Sequence, residues 1–199
     1  MEALPLSNRP AFQVAAGRLA RFFGIHFYDL YFGKKELLSP PEPVVPLLQI
    51  QVRIATAEDL DRIIYRIGGD IQKEFDHNIS ISSTCYVAVH EGNISGYLWL
   101  NQHIINLVGM QVTRLPPLSS FMHGVFVFPE HRRKKIFQLL FLRACQDMQR
   151  TGFVSITCLV DRANKQSVEA FKHMGIGFQN APILKLPGIK PLVLNKVLE

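Results

Sequence analysis

A segment that is apolar on every side of its predicted helix constrains the fold of this chain most strongly. The helix is predicted at 130–150, and its apolar residues are Ile136, Phe137, Leu139, Leu140, Phe141, Leu142, Ala144 and Met148. A helix without a polar stripe has to be buried between layers of structure. Strands are predicted on either side of it, at 121–128 and 153–160. The helix is therefore a crossover connection, which predicts a mixed α/β sheet.

The elements before this helix are predicted from periodicity and capping. A strand at 48–56 leads into a helix with Thr56 as its N-cap and Gly68 as its stop signal. The inward residues of that helix are predicted to be Leu60, Ile63, Ile64 and Ile67. Two alternating segments around a turn at 91–93 predict a hairpin.

The first 48 residues are interpreted as an extension of a domain that covers 49–199. The extension has a predicted helix at 11–23, a strand at 25–32 and a proline-rich linker at 39–46. The helix is either packed on a core or lies on an anionic membrane surface, since Arg18 and Arg21 oppose its apolar face. The domain ends with a helix at 164–175 and one or two strands.

Composition narrows the class of protein and its compartment. Hydrophobic residues make up 48% of the 199 residues and charged residues 19%, which is typical of a globular chain. The net charge of +6 favours anionic partners. The three cysteines are widely spaced, so we expect reduced thiols in a cytoplasmic protein. We find neither a signal peptide nor an apolar run long enough to span a membrane.

Four cations in a row, Arg132–Lys135, stand where the apolar helix is predicted to begin. A helix N-terminus already carries partial positive charge, so cations there are unfavourable unless an anion binds between them. We therefore interpret the run as part of an anion site. The competing interpretations are a solvated charge run and a nucleic-acid patch. The modest net charge and the absence of a helix-turn-helix pattern argue against nucleic acid.

Two motifs resemble those of the GNAT acyltransferase superfamily. The first is a strand followed by Val127, Pro129, Glu130 and Arg132, with Lys135 and Phe137 at the positions of the two family glycines. The second motif contains Asn164, Ser167, Ala170, Phe171, Met174 and Gly175. The resemblance covers about 50–196 and implies a mostly antiparallel central sheet with helices on both faces. It also implies acetyl-CoA or another acyl-CoA as donor, a small-molecule amine as acceptor, and no metal.

The resemblance also implies which residues bind the donor. They are Val125 and Val127 on the strand, Arg132, Arg133, Lys134, Lys135, Ile136 and Phe137 where the helix begins, and Asn164, Ser167 and Phe171 in the second motif. An acidic acyl carrier protein is an alternative donor, because its surface would suit the basic run. A CoA-binding regulatory module without catalysis is a third possibility, since Phe171 stands where the family has a tyrosine acid.

His123 is predicted to be the catalytic base, because a neutral imidazole suits proton transfer. On a regular strand it would share a face with Val125 and Val127. The segments 68–83, predicted as a loop, and 101–118 would flank the acceptor. Asp70, Glu74 and Asp76 could hold an amine or a sugar there, or are simply solvated acids. If His123 is not the base, the candidates are Asp70, Glu74, Tyr86 and Tyr97, whereas Cys158 is interpreted as a core residue.

Overall fold

The structure is a computed structural model that describes residues 24–39, 41–69, 71–107 and 110–194. The predicted helix at 11–23 and the candidate Asp70 lie outside the described residues. The helices are α1 (Ala57–Ile67), α2 (Ile71–Ser80), α3 (Ile136–Arg150) and α4 (Lys165–His173). The strands are β1 (His26–Tyr28), β2 (Leu30–Glu36), β3 (Gln51–Ile54), β4 (Thr84–His90), β5 (Asn93–Asn101), β6 (Ile104–Leu107), β7 (Met110–Arg114), β8 (Ser119–Val127), β9 (Ser155–Asp161), β10 (Gly177–Asn180), β11 (Ile183–Lys185) and β12 (Leu192–Val193).

Seven strands form the central sheet, in the order β10-β2-β9-β8-β5-β4-β3. Neighbouring strands run antiparallel except β8 and β9, which the α3 crossover joins and which run parallel. Two smaller sheets accompany it, one of β1, β11 and β12 and one made by the β6-β7 hairpin. The prediction of a mixed, mostly antiparallel sheet is confirmed.

Helices cover both faces of this sheet. On one face, α3 and α4 pack through a cluster that contains Leu140, Phe141 and Val168. On the other face, α1 and α2 contribute Ile63 and Phe75 to a second cluster. We call these the α3 face and the α2 face. The burial of α3 against the sheet confirms the crossover helix that its apolar sequence predicts.

Strand β2 lies inside the sheet although it belongs to the predicted extension. It pairs with β9 along Leu30–Glu36 and with β10 on its other side. After it, the chain is held against α3 by Gln149, whose Nε2 donates to the carbonyl oxygens of Leu37 (2.7 Å) and Ser39 (2.8 Å). The described part of the extension is therefore continuous with the sheet of the following domain.

Several local predictions differ from the structure. The apolar helix begins at Ile136 and not at 130, because a 3-10 turn occupies Pro129–His131. The segment 68–83 is not a loop, since it contains α2. Ile67 does not face the core, because it is the last residue of α1 and is exposed.

Candidate active site

Strands β8 and β9 separate part of the way along the sheet. Their parallel pairing joins Ser119–Met122 to Ser155–Cys158 and then ends. Beyond that point β8 continues beside β5 to Val127, while β9 continues beside β2 to Asp161. Central strands that part in this way leave a cleft whose walls carry backbone N–H and C=O groups outside a ladder. An extended ligand with amide groups can pair with such walls as an added strand would.

A β-bulge at Gly124 lies where the strands part. The pairing of β8 with β5 shifts by one residue between His123 and Phe126. Gly124 has a φ of +54°, and a Cβ there would lie 2.9 Å from Trp99 Cδ1, so glycine is required. Because of the inserted residue, Val125 packs on the α3 face whereas His123 points to the α2 face. The expectation that His123 shares a face with the two following valines is therefore wrong.

The loop between β8 and α3 carries the basic run. The side chains of Arg132, Arg133 and Lys135 are exposed, and Arg132 Nε donates to the carbonyl oxygen of Val127 at 3.2 Å. Arg133 and Lys135 have φ values of +61° and +63°, in the left-handed region. Lys135 thus keeps, at the first glycine position of the motif, a backbone conformation that glycine adopts easily. The loop preserves a glycine-like turn and adds a cation.

The N-terminus of α3 is open toward this loop. Among the described residues, no side chain caps it. The N–H of Leu139 bonds back to the carbonyl oxygen of Lys135 at 3.1 Å, so the N–H groups of the residues before Leu139 point out of the helix. These N–H groups, the positive end of the helix dipole and the basic run lie together directly beyond the end of β8, an arrangement that can bind an anion. We call it the candidate anion site.

Two departures from the family motifs lie against each other. Phe137 stands at the second glycine position and Phe171 at the tyrosine position, and their ring centroids are 5.1 Å apart. Both rings are buried between α3 and α4. Phe171 has no proton to donate, so α4 offers no acid there. Asn164 caps α4, because its Oδ1 accepts a hydrogen bond from the N–H of Ser167 at 3.1 Å.

A cavity of about 500 Å³ opens on the α2 face beside the bulge. It is bounded by α2, β6 and the parting strands β8 and β9, and its polar lining includes Glu74, His77, Asn78, Asn106 and His123. We call it the α2 pocket. Its volume suits a small organic ligand. The segments 68–83 and 101–118 supply α2 and β6 to its wall.

His123 reaches the pocket from β8. Its Nε2 lies 3.3 Å from Ser83 Oγ, to which Asn101 Nδ2 donates at 3.1 Å. Its ring stacks on that of Phe121, with centroids 5.6 Å apart. Burial, and then the neighbouring His77, lower the pKa of His123 to about 4. The imidazole is therefore neutral near pH 7 and a weaker base than an ordinary histidine.

Two buried amides in the pocket have unused polar atoms. Asn106 Nδ2 donates to His77 Nε2 at 3.0 Å, but Asn106 Oδ1 has no partner within the described part of the chain. Asn78 is 1% exposed, and its Nδ2 is likewise without a partner among the described residues. Such a buried atom costs about 1–3 kcal/mol until it is satisfied. Both residues line the pocket, so a ligand bound there could satisfy these two atoms.

Glu74 lies where the pocket meets the cleft. Its Oε1 is 3.5 Å from the position that a Cβ on Gly124 would take. Burial raises the pKa of the Glu74 carboxyl above its ordinary value. The other acidic candidate on α2, Asp76, accepts from Gln72 Nε2 at 2.8 Å and is exposed to solvent. Of these two carboxylates, Glu74 alone lines the pocket.

The remaining acid–base candidates are core residues. Burial, followed by the charge of Asp147, raises the pKa of Tyr86 to about 12. Burial also raises the pKa of Tyr97, which packs edge-on against Phe75 with centroids 5.4 Å apart. Burial raises the pKa of the Cys158 thiol to about 12. All three groups are protonated at neutral pH and are placed for packing.

No group of three His, Cys, Asp or Glu side chains is placed to hold a metal ion in the described ranges. Within the same ranges, no helix is both long and apolar enough to cross a membrane. The three cysteines, Cys85, Cys145 and Cys158, are buried free thiols.

The lining residues that the sequence analysis does not single out include His77, Asn78 and Asn106. The first two lie on α2, whose segment the sequence predicts as a loop. The spacing of Ile71 and Phe75, four residues apart, was the available signal, since both pack into the α2-face cluster. Asn106 lies in a four-residue strand, which is too short for a clear alternation.

The fold matches those of solved acetyltransferases. A GCN5-related N-acetyltransferase from Sphaerobacter thermophilus is 17% identical, with a TM-score of 0.58 over 90% of this chain and 59% of its own. The ribosomal-protein-S18-alanine N-acetyltransferase from Escherichia coli is 11% identical, with a TM-score of 0.51 over 64% of this chain and 77% of its own. A functionally unknown conserved protein from Staphylococcus epidermidis is 11% identical, with a TM-score of 0.51 over 87% of this chain and 66% of its own.

A model of the acetyltransferase (GNAT) family matches residues 52–176. The chain belongs to this family, which confirms the resemblance drawn from the two motifs. No curated protein sequence matches the chain. The chain spans less than two thirds of the length of two of these proteins, namely 66% of the Staphylococcus epidermidis protein and 59% of the Sphaerobacter thermophilus protein.

Proposed function

We propose that the chain is an N-acyltransferase that moves an acetyl or other acyl group from acyl-coenzyme A to the amine of a small molecule. The amine attacks directly in a ternary complex. The observation that carries the proposal is the cleft between β8 and β9, which has the candidate anion site beyond one end and the α2 pocket beside its bulge. The candidate anion site suits a donor that carries phosphates, and the α2 pocket suits an amine acceptor. The two surfaces adjoin the same cleft.

The donor would lie along the cleft with its phosphates at the candidate anion site. Arg132–Lys135 supply cations for the phosphates, and the N–H groups at Ile136 and Phe137 add uncharged donors. The amide-containing arm of the donor would extend beside Val125 and Val127. In this arrangement the thioester reaches the bulge at Gly124. Asn164, Ser167 and Phe171 would border the donor from α4.

The reaction forms a C–N bond and breaks the thioester C–S bond. The amine nitrogen attacks the carbonyl carbon, and the sulfur leaves with the bonding electron pair as a thiolate. Backbone N–H groups on the parted strand β8 can stabilise the developing oxyanion. With Phe171 at the acid position, the thiolate takes its proton from solvent, which its reference pKa of about 8.5 permits. A base must accept the proton of the amine, and His123 remains a prediction for that role.

Two observations favour alternatives. The exposure of Arg132, Arg133 and Lys135 also suits an acidic acyl carrier protein as donor. The contact between Phe137 and Phe171 favours a CoA-binding module that has lost catalysis.

Amine-dependent release of free thiol distinguishes these functions. We expect release from acetyl-CoA when a primary amine is added, and not in its absence. Release only from acyl carrier protein would identify the carrier as donor. Saturable binding of acetyl-CoA with no release from either donor, over a panel of primary amines, would identify a non-catalytic module and contradict the proposal.

A further inference from the structure

We infer that Glu74 accepts the proton of the acceptor, and that the α2 pocket selects a primary amine with a hydrogen-bond-accepting oxygen on the neighbouring carbon. This inference rests on the proposed function. It assigns the acceptor chemistry to one carboxylate and two unpaired amides, Asn78 and Asn106, on the α2 face.

Glu74 occupies the one point that both substrates must reach. Its Oε1 lies over Gly124, at 3.5 Å from the position of a Cβ there. The bulge at Gly124 lies just beyond the end of the β8-β9 pairing, so a thioester that reaches the cleft there would lie next to Gly124, with the carboxylate of Glu74 and the edge of the Trp99 ring on its other side. A larger residue at 124 would stand between them. The absence of a side chain at this position therefore opens the pocket to the cleft.

The charges in the pocket favour Glu74 over His123 as the group that meets the amine. An amine acceptor arrives as an ammonium ion near pH 7, and a carboxylate attracts it. His123 is uncharged, is already bonded to Ser83, and stands near a second imidazole, that of His77. The described lining also contains one lysine, Lys73, which precedes Glu74 on α2 and is exposed as Glu74 is.

The unpaired amides describe the rest of the acceptor. Asn106 Oδ1 can accept from the ammonium together with Glu74, and Asn78 Nδ2 needs an acceptor atom on the ligand. Glu74 and Asn78 are four residues apart on α2, so their Cβ atoms are about 5–6 Å apart on one helix face. A nitrogen and an oxygen on neighbouring carbon atoms bridge that span. Amino alcohols and amino sugars have this arrangement.

In the proposed step, the carboxylate of Glu74 takes one proton from the ammonium, and the free amine then attacks the thioester. The C–N bond forms as the C–S bond breaks, the protonated Glu74 releases its proton to solvent, and the second proton of the nitrogen also passes to solvent. The protons end on the thiolate and in bulk water. No oxidant, reductant or further reactant is needed.

The first experiment compares Glu74→Gln with wild type, and uses Asp76→Asn as a matched control, because Asp76 is an exposed carboxylate of the same helix that does not line the pocket. We expect Glu74→Gln to lower kcat/KM for the amine by about 100-fold or more, as general bases do, while the acetyl-CoA-induced melting shift is retained. Asp76→Asn should stay within twofold of wild type. If kcat/KM of Glu74→Gln for the amine stays within threefold of wild type, the inference is overturned. A melting shift with acetyl-CoA would still support the proposed function in that case.

The second experiment compares trans-2-aminocyclohexanol with cyclohexylamine, which differ by one hydroxyl group. We expect kcat/KM to favour the amino alcohol by about tenfold or more, because the buried Asn78 amide is left unpaired by cyclohexylamine. Asn78→Ala should bring the ratio to within twofold, and Asn106→Ala should weaken both amines while keeping the ratio. Equal kcat/KM values of wild type for the two amines would contradict the inferred selectivity for a neighbouring oxygen.

The amino alcohol alone tests the pocket independently of the donor. It should raise the melting temperature of wild type in a concentration-dependent way and leave that of Glu74→Gln unchanged. If acetyl-CoA does not shift the melting temperature of wild type, the proposed function fails. The titration with the amino alcohol still shows whether the α2 pocket binds this ligand through Glu74. An equal shift in both proteins overturns the role of Glu74.

Discussion

The donor side and the α2 pocket are built in different ways. The candidate anion site on the donor side comes from one continuous stretch, from Val127 at the end of β8 to Phe137 in the first turn of α3. The α2 pocket takes its lining from four separate elements, α2, β6, β8 and β9. A continuous site leaves a motif in the sequence, whereas a site assembled by tertiary contacts leaves only scattered polar residues.

The two regions also differ in charge and exposure. Three of the four cations of the basic run, Arg132, Arg133 and Lys135, are exposed, so they are accessible to an anion from solvent. The pocket contains buried amides, a histidine with a lowered pKa and a carboxylate with a raised pKa. We therefore expect changes on the donor side to alter affinity for the donor, and changes in the pocket to alter turnover of the acceptor.

The largest effect is expected from the combined change Arg132→Ala and Arg133→Ala. Two exposed charge-assisted contacts to phosphate would be lost, which we expect to weaken acyl-CoA binding by about 100-fold and to leave the KM of the amine unchanged. Lys190→Ala, an exposed cation in the tail, is the control. Isothermal titration calorimetry measures the donor affinity. An unchanged affinity would show that the basic run does not meet the donor.

The next effect is on the pH dependence of the free energy of unfolding, through Asp59, which lies outside both regions. Asp59 on α1 accepts hydrogen bonds from Arg53 Nη2 (3.0 Å) and the N–H of Thr56 (2.8 Å), and the Arg53 contact is the main cause that lowers the pKa of Asp59 to about 2. Because the folded pKa is depressed, the stabilisation is complete above the unfolded pKa of about 4. It is lost as the pH falls toward 2.

We expect about 2 kcal/mol of unfolding free energy to be lost over that range through this group. Urea denaturation between pH 5 and pH 2 measures it, and Asp59→Asn should flatten the curve there. If Asp59→Asn retains the full pH dependence, the Asp59 carboxylate does not cause the loss of unfolding free energy at low pH.

A smaller effect is expected from Gly124→Ala, with Gly152→Ala as its matched control. Both glycines have positive φ, but a Cβ at Gly152 meets open space whereas one at Gly124 meets Trp99. The left-handed backbone costs a non-glycine residue about 1–2 kcal/mol at either position. We expect Gly124→Ala to destabilise the protein further than Gly152→Ala and to lower turnover, because the added methyl group lies between Glu74 and the cleft. Equal melting temperatures would show that the bulge tolerates a side chain.

The smallest effect is expected from His123→Gln. The lowered pKa makes His123 a weak base, and glutamine can keep a hydrogen bond to Ser83. We expect turnover to fall by less than about tenfold, well below the loss for a general base, and the pH profile to keep its shape. A loss of about 100-fold together with a lost titration would restore His123 as the base in place of Glu74.

The fold was predictable where local signals were strong. The apolar sequence of α3, the caps Thr56 and Asn164 and the hairpin turn at 91–93 each specify an element without help from the rest of the chain. The position of β2 was not predictable, because its antiparallel pairing with β9 joins residues more than a hundred positions apart. Only tertiary packing determines such a contact.

The candidate site divides in the same way. The position of the basic run at the start of α3 could be predicted from Arg132–Lys135, which directly precede the apolar helix, whereas anion binding there stays a prediction. The face of the sheet to which His123 points could not be predicted, because one inserted residue at Gly124 reverses the alternation of β8. This insertion leaves no signal in the hydrophobic pattern. The contact between His77 and Asn106 was also hidden, because it joins a helix to a short strand across the pocket.

The most direct test of the central claim is a melting scan of wild type against acetyl-CoA and against S-acetylpantetheine, which lacks the nucleotide and its phosphates. We predict a melting temperature that rises with acetyl-CoA concentration, a much smaller rise with S-acetylpantetheine, and loss of the difference between them in the variant with Arg132→Ala and Arg133→Ala. No shift with acetyl-CoA, or equal shifts with the two ligands, would contradict a donor held by its phosphates at the start of α3.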